Sequence, residues 1–424
     1  MMGAADATGI VVVGAGIVGV ATAINLLRAG RRVVLLDRQA PGEGTSCGSG
    51  GILVSSSIVP VTVPGLLTKA PRMLARSDGP LYLRWRYLPR LMPWLLRYLS
   101  HCRAGATRRI AMGLAPLVAD SLDEHRRLAR GSAAERRIQA RPYAMVYRDR
   151  AAFLADAFAW RLREEQGITW QTVEGDALAE LEPALNPAYR HAAILSHQHG
   201  TLDEPGEYIK ELAQTFVEEG GSVEQREVTA LVRKADGKVA LRCNGDAREA
   251  EHIVVAAGAW SGRLLASIGV RIPLESERGY NIELLEPSTT LRHAIMLTDA
   301  KCVVTPMSGK LRVAGLVEFA GLDAGPSAAP IRTLIALASR AFPKLTFERH
   351  TEWMGHRPAP ADSLPVIGKV PGCSGLSVAF GHHHVGMTSG PRTGRLVADL
   401  ILGRQPQTDI SPYQASRFAG ASGR

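Results

Sequence analysis

The chain has 424 residues, 46% of them hydrophobic and 21% charged, with 43 glycines and a formal net charge of +10. That length exceeds one hydrophobic core and implies two domains, and the ordinary composition excludes the disordered, collagenous and disulfide-rich classes. The positive balance fits an anionic partner or ligand. Five scattered cysteines (Cys47, Cys102, Cys243, Cys302, Cys373), with no C-x-x-C, argue against a disulfide framework and a thiolate zinc site and fit a reducing cytosol.

The first predicted element is Ile-Val-Val-Val at 10–13, a β-branched run of the kind buried in parallel sheets. Gly14, Gly16 and Gly19 follow, then a helix to about Arg28 that Gly30 closes. No basic residue precedes this apolar stretch and Asn25 interrupts it, so strand-turn-helix explains it better than a signal peptide. A second strand, RVVLLD, ends at Asp37, eighteen positions after the third glycine. This is a dinucleotide fingerprint: Gly14 permits the tight turn, Gly16 lets backbone approach a pyrophosphate, and Gly19 lets helix and strand pack closely. The helix N-terminus attracts the phosphates, and Asp37 accepts from ribose hydroxyls. Ile17, Val18 and Arg38 complete the expected contacts of this turn.

Residues 45–54, TSCGSGGILV, are dense in small side chains, so the backbone can lie flat against a large planar ligand. That favours FAD over NAD and nominates Thr45, Ser46, Gly50, Gly51 and Ile52. The run VVAAGAW at 254–260 is a buried strand ending in close-approach residues, which adds Ala257, Gly258 and Trp260; Val228 is taken as a further cofactor contact.

Between these stretches, ADAFAWRLREEQG and GEYIKELAQTFVEEGG read as amphipathic helices closed by Gly167 and Gly220. YAMVYRD, HAAILSH, GYNIELLE, KCVVTPM and KLRVAGLVEF read as antiparallel strands. The fold class is therefore α/β with an α+β second domain. A discontinuous Rossmann-type FAD-binding domain is expected from 1–60, 104–135, 151–173, 203–270 and 354–410. A mixed or antiparallel-sheet substrate domain is expected from 136–150, 174–202 and 271–353, with a basic apolar helical insert at 61–103. No run of about 18 apolar residues elsewhere suggests a membrane-spanning helix.

The motifs VVVGAGIVGVATAINLLRAGRRVVLLDR, VVAAGAWS, WMGHRPAPADSLPVIG and GHHHVGMTSGPRTGRLVADLI occur here in order. With them, the chain resembles the D-amino-acid oxidase superfamily of FAD-dependent oxidoreductases, and within it the D-amino-acid dehydrogenase branch. The insert PLYLRWRYLPRLMPWLLRYL is more similar to the dehydrogenases than to the oxidases. The GHHHVGMTSGPRTG variant resembles members acting on cyclic or bulky D-amino acids such as D-proline or D-hydroxyproline. The resemblance implies non-covalent FAD, hydride transfer from a D-amino acid to flavin N5, and electrons passed to a quinone or respiratory carrier.

Three consecutive histidines, 382–384, raise the question of a metal. An extended segment puts only His382 and His384 on one side, and no carboxylate or cysteine stands close by in sequence, so no metal site is expected. The segment joins a strand through Gly381 to a helix that starts with small residues. A helix N-terminus there would stabilise negative charge developing on the flavin N1/C2=O edge; the resemblance implies that Gly386, Met387 and Thr388 touch that edge. His382 and His384 are nominated as aids to catalysis and His383 as a pocket wall, with a purely structural histidine among them also open.

Arg357, in GHRPAP, is held extended by Pro358. A planar guanidinium grips a carboxylate through two parallel hydrogen bonds, and the resemblance gives Arg357 that role towards the substrate. The other reading is a buried ion pair with Asp362. Tyr280 and Tyr143 are nominated beside it at strand positions. No G-x-S-x-G elbow suggests nucleophilic chemistry.

Residues 82–110 carry seven arginines and no acid, interleaved with tryptophan, tyrosine and leucine and divided by Pro89 and Pro93 into expected short turns. The segment suits peripheral contact with an anionic bilayer, on the cytoplasmic face of an inner membrane; equally, it suits a core-facing strip with solvated arginines. No recognition motif for nucleic acid accompanies it. Two rival functions stand beside the dehydrogenase: an oxidase of glycine- or sarcosine-type amines using O2, and a non-catalytic flavin subunit of an electron-transfer complex.

Overall fold

The computed structural model describes residues 9–66, 68, 70, 74 and 79–421. Its continuous valine-, isoleucine- and leucine-rich runs assemble a six-stranded sheet in the order Ser222–Gln225, Val33–Asp37, Ile10–Val13, His252–Val255, Leu376–Phe380, Val366–Lys369. The first five strands are parallel and the last is antiparallel. Parallel strands need cover on both faces. One face is covered by the helices Ile17–Arg28, Pro205–Glu218 and Gly386–Ile401, whose side chains join a core that includes Val12, Ile24, Leu35, Phe216 and Val397. The first and last of these helices lie almost in backbone contact: a β-carbon on Gly394 would come within 2.6 Å of the Ala21 carbonyl carbon. The other face is covered by a three-stranded antiparallel sheet, Val228–Arg233, Val239–Cys243 and Asp246–Arg248.

The second large sheet has nine strands, running Arg349–Pro360, Leu274–Leu285, Lys310–Phe319, Cys302–Met307, Ala294–Leu297, Tyr143–Tyr147, His191–Leu195, Gln171–Glu174, with Leu81–Leu83 joined beside Lys310–Phe319. It is mixed. Only the pairs Ala294–Leu297 with Tyr143–Tyr147 and Leu81–Leu83 with Lys310–Phe319 are parallel. The helix Ala328–Ala341 packs on one face through Ile331, Leu334 and Leu337. A small sheet of Ile52–Val54, His199–Leu202 and Ile138–Ala140 joins the glycine-rich loop to this half.

Three expectations change. Segment 151–173 belongs with the substrate sheet, because Phe153 and Trp160 pack on Tyr143, Met145 and Tyr147 and residues 171–174 form an edge strand there. Residues 354–360 likewise sit in the strand Arg349–Pro360 of that sheet. Finally, Pro89 and Pro93 do not break the insert into turns: one helix spans Leu88–Ser100. Pro89 takes a first-turn position where its missing N–H costs nothing. Pro93 is carried because Leu91, Trp94 and Tyr98 bury one face and the Trp94 indole donates to the Ala359 carbonyl at 2.9 Å. Residues 67, 69, 71–73 and 75–78 of the 61–103 insert lie outside the described residues. Among the described residues no helix is long and apolar enough to cross a membrane.

Candidate active site

The cofactor cradle begins at the first βα turn. Gly14 has φ +113°, and a β-carbon there would overlap the Ala256 carbonyl; one on Gly19 would overlap the Gly14 carbonyl oxygen. Only glycine lets strand, turn and helix close this tightly. Asp37 ends the next strand and ties the turn down, accepting from the Ala15 N–H at 2.7 Å and the Gln39 N–H at 3.0 Å. Gly16 brings no capping side chain of its own and no acid occupies the first turn, so Ile17 and Val18 begin a helix end that suits an anion. Ser46 faces it, its hydroxyl accepting from the Ile17 N–H at 3.3 Å.

Around Asp37 the structure gathers further nominated residues. The exposed Arg38 guanidinium lies 4.0 Å over the Trp260 ring, which meets the His356 ring edge-on. Ala257 and Gly258 form the turn after His252–Val255. Arg226 N–H donates to the Asp37 carbonyl at 2.7 Å, which brings the chain leading to Val228 alongside. Thr45 donates to the His356 carbonyl at 3.0 Å. The Gly50 carbonyl accepts from Thr305 at 2.6 Å, and Gly51, at φ +67°, leads into the strand that starts at Ile52.

The far end of the cradle is the N-terminus of Gly386–Ile401, again without a side-chain cap or a first-turn acid. Gly381, at φ +85°, makes the turn from Leu376–Phe380. His125, fully buried, bridges the Tyr208 hydroxyl and the Met387 carbonyl at 2.8 Å each, while Ser121 donates to the Thr388 carbonyl at 2.8 Å. The Thr388 hydroxyl reaches the Ile52 carbonyl at 3.5 Å. Gly386, Met387 and Thr388 are thus fixed from three directions opposite the glycine-rich loop. Two open helix ends, a glycine turn and a flat small-residue loop between them fit a flavin dinucleotide.

The substrate wall is charged. Arg357, 21% exposed at its side chain, donates to Glu277 Oε1 at 3.2 Å and to the Leu316 carbonyl at 2.9 Å, with Gly315 at 3.4 Å. Its guanidinium lies against Gly279, where a side chain would overlap it. Glu277 Oε2 stands 2.8 Å from His383 Nε2. Burial would raise the Glu277 pKa, but His383 and then Arg357 bring it down to about 2, so it is a carboxylate at any working pH. His383 in turn meets His384, Nδ1 to Nδ1, at 2.9 Å. His384 is exposed, yet desolvation holds its pKa down at about 3.

Other nominations part from this wall. His382 is buried, bonds Thr393 of the following helix at 3.0 Å, and has its pKa lowered to about 3 by burial. Tyr280 faces the opposite side of the sheet, because side chains alternate along a strand. Its hydroxyl donates to Glu318 at 2.5 Å and accepts from the Ser327 N–H at 3.0 Å. Tyr143 is core, stacked with His199 at 6.1 Å among Val54, Met145 and Trp160. Asp362 does not pair with Arg357; it is taken by Arg417 at 2.6 Å. Among the described residues no group of three or more such side chains is arranged to hold a metal ion.

Three residues were missed by the sequence reading. Glu277 looks like any strand acid until Arg357, eighty positions away, is placed opposite it. Arg312, 4% exposed, donates to the Cys47 and Ser49 carbonyls at 2.9 and 2.7 Å and to Glu283 at 2.5 Å, clamping the glycine-rich loop onto the large sheet. Trp353 lies flat against Gly48 and Gly355, so neither position has room for a side chain.

Residues 9–400 match the family model described as "FAD dependent oxidoreductase", DAO. The chain is 37% identical to a D-amino-acid oxidase of Bradyrhizobium diazoefficiens, over 96% of this chain and 98% of that protein. It is 30% identical to a D-amino acid dehydrogenase of Dechloromonas aromatica, over 95% and 98%. Among solved structures it resembles glycine oxidase from Geobacillus kaustophilus (TM-score 0.72, 23% identity, 96% and 98% covered) and L-proline dehydrogenase from P. horikoshii (TM-score 0.73, 18% identity, 98% and 99% covered).

Proposed function

The chain belongs to the DAO family of FAD-dependent oxidoreductases, and from that premise we propose that it oxidises D-amino acids at the wall formed by Arg357 and His384. The observation that carries this reading is the partly exposed Arg357 guanidinium, oriented by Glu277 and two backbone carbonyls beside a reachable His384. Arg357 grips the substrate carboxylate and Glu277 keeps the guanidinium in plane. His384 borders the amine. FAD, when bound, supplies the hydride-accepting chemistry; the protein supplies orientation, which is worth several orders of magnitude in rate. Hydrolysis of the resulting imino acid in water gives the keto acid.

For the electron acceptor we favour a membrane carrier over O2. Trp85 and Leu96 are 67% and 62% exposed, and Arg86, Arg90 and Arg97 stand exposed around them. An apolar strip rimmed by cations suits an anionic bilayer. The second reading, an O2-using oxidase, is favoured by the 37% identity to a D-amino-acid oxidase. Peroxide in air decides between them, and sedimentation with anionic liposomes at low salt tests the surface.

Anaerobic mixing with a panel of D- and L-amino acids tests the activity. D-amino acids should bleach the flavin, cyclic and bulky ones fastest; bleaching by none leaves a flavin carrier without this chemistry. Arg357→Leu should keep its flavin and lose at least about 1000-fold in kcat/KM, on the order of 4 kcal/mol. Unchanged turnover would remove the anchor.

A further inference from the structure

An α-amino acid reaches the protein as a zwitterion, whereas hydride leaves Cα readily only when the amine is neutral, so one proton must go before the oxidation. We infer that Glu277, His383 and His384 form a proton relay that takes it. This rests on the reading of the pocket as an amino-acid site and adds a route that Arg357 does not provide.

The geometry leaves few arrangements. Glu277 only accepts, and His383 Nε2 lies 2.8 Å from it. The two facing Nδ1 atoms, 2.9 Å apart, need one proton between them. Three assignments satisfy both contacts, and one of them, with the charge on His384, is disfavoured by the desolvation of that ring. In the first of the other two, His383 is neutral and its Nδ1 accepts from the His384 Nδ1–H, so His384 Nε2 offers a lone pair. In the second, His383 is an imidazolium donating to His384, whose proton now sits on Nε2. They differ by one proton, and Nε2 of His384, exposed and without a partner among the described residues, is where it enters. The substrate N–H bond breaks as an Nε2–H bond forms on His384, while the His384 Nδ1 proton crosses to His383 Nδ1. Charge is conserved: the ammonium becomes an amine and His383 becomes a cation beside the Glu277 carboxylate. The contact between His383 and Glu277 is not aligned as a hydrogen bond, so it is worth most when the ring is charged. His383 is also held at φ +52°, a conformation that costs a non-glycine residue energy and clusters at working sites.

The charged and titratable groups around the relay are few. Arg357 faces Glu277 from the edge strand, and Tyr98 approaches it from the helix Leu88–Ser100, its own pKa pushed up by burial and then by Glu277. His382, next in the chain, is turned to Thr393. Desolvation makes His384 a poor resting place for the proton, which suits a conductor rather than a store.

The test compares wild type with His384→Gln and with His383→Asn, which keeps a residue tolerant of φ +52°. The kcat/KM of both variants for a D-amino acid should fall about 100-fold near pH 7. It should recover towards wild type as the pH rises through the amine's own pKa. A readout without turnover uses 2-aminoisobutyrate, a zwitterion with no Cα–H, and nitrogen NMR of labelled histidines. Its binding, seen as a perturbed flavin spectrum, should turn one neutral imidazole into an imidazolium in wild type and in neither variant. Parallel pH profiles in all three proteins, or binding with no histidine protonated, would overturn the relay while leaving the amino-acid reading intact. Flavin that no amino acid bleaches or perturbs would overturn both.

Discussion

The two halves of this site are built from different physics. The cofactor side is backbone: a glycine turn, two helix ends with no capping side chain of their own and a small-residue loop, with Asp37 as its one nominated acid. The substrate side is charge largely held out of water: Arg357 with Glu277, and Arg312 with Glu283 on the same sheet. Shape tolerates no added atom, whereas a buried ion pair tolerates a change of shape but not the loss of one partner. The first half should therefore fail by exclusion of the ligand, and the second by uncompensated charge.

The largest effect belongs to the turn. Gly19→Val puts atoms inside the Gly14 carbonyl, so the variant should carry no FAD at all, read as absence of the flavin absorption band in purified protein. A yellow variant with a full complement of FAD would show that backbone contact is not what shapes the cradle. Next comes the clamp between the halves. Arg312→Met leaves Glu283 with Lys310 at 2.9 Å and Thr351 at 3.2 Å, and frees the Cys47 and Ser49 carbonyls. It should cost about 3 kcal/mol in denaturant unfolding and weaken FAD binding about tenfold. A loss of stability with unaltered FAD affinity would mean the loop keeps its place without the arginine.

This contrast also explains what was legible in the sequence. The cradle is local: strand, Gly14, Gly16, Gly19, helix and Asp37 lie within 28 residues, and each residue type has one physical use there. Arg357 was nominated through its proline and its chemistry, but its partner was not, because Glu277 meets it only through the register of two antiparallel strands. Tyr280 was misread for a related reason. The register with Lys310–Phe319 shifts between Arg278 and Tyr280 while the pairing with Arg349–Pro360 runs on unbroken, and the sequence does not say which face looks at the cofactor. Pro93 misled because tertiary burial of Trp94 and Tyr98 outweighed a local breaker.

Acid should separate the buried histidines from the buried carboxylate by pH. Burial lowers the His125 pKa from 6.5 to about 4 despite its bond to the Met387 carbonyl, and burial lowers that of His382 to about 3. Between those values and 6.5 the unfolded chain binds more protons, so this stability is full above pH 6.5 and drains as the pH falls towards 4. For His125 the loss is on the order of 3 kcal/mol. Glu277 acts in the same direction but lower, its contribution present above 4.5 and lost towards about 2. These histidines, with His384 on the other side of the site, thus yield before the Glu277 carboxylate. Urea midpoints at pH 7, 6 and 5 should decline in that order, and a flat series would mean that these rings take up protons without cost.

The smallest change sharpens the boundary of the substrate wall itself. Tyr280→Phe removes the hydroxyl that donates to Glu318 and accepts from the Ser327 N–H, leaving that half-buried N–H without this partner. Glu318 keeps Arg278 at 3.2 Å and the Ser327 hydroxyl at 2.5 Å, so the ion pair survives. The expected cost is about 1–2 kcal/mol of stability. Because the ring lies on the sheet face away from Glu277, KM and kcat for a D-amino acid should hold their wild-type values. A several-fold rise in KM at unchanged stability would put the hydroxyl in the pocket and move the wall to the other face of the strand Leu274–Leu285. That outcome would be incompatible with Arg357 and Tyr280 being separated by the sheet.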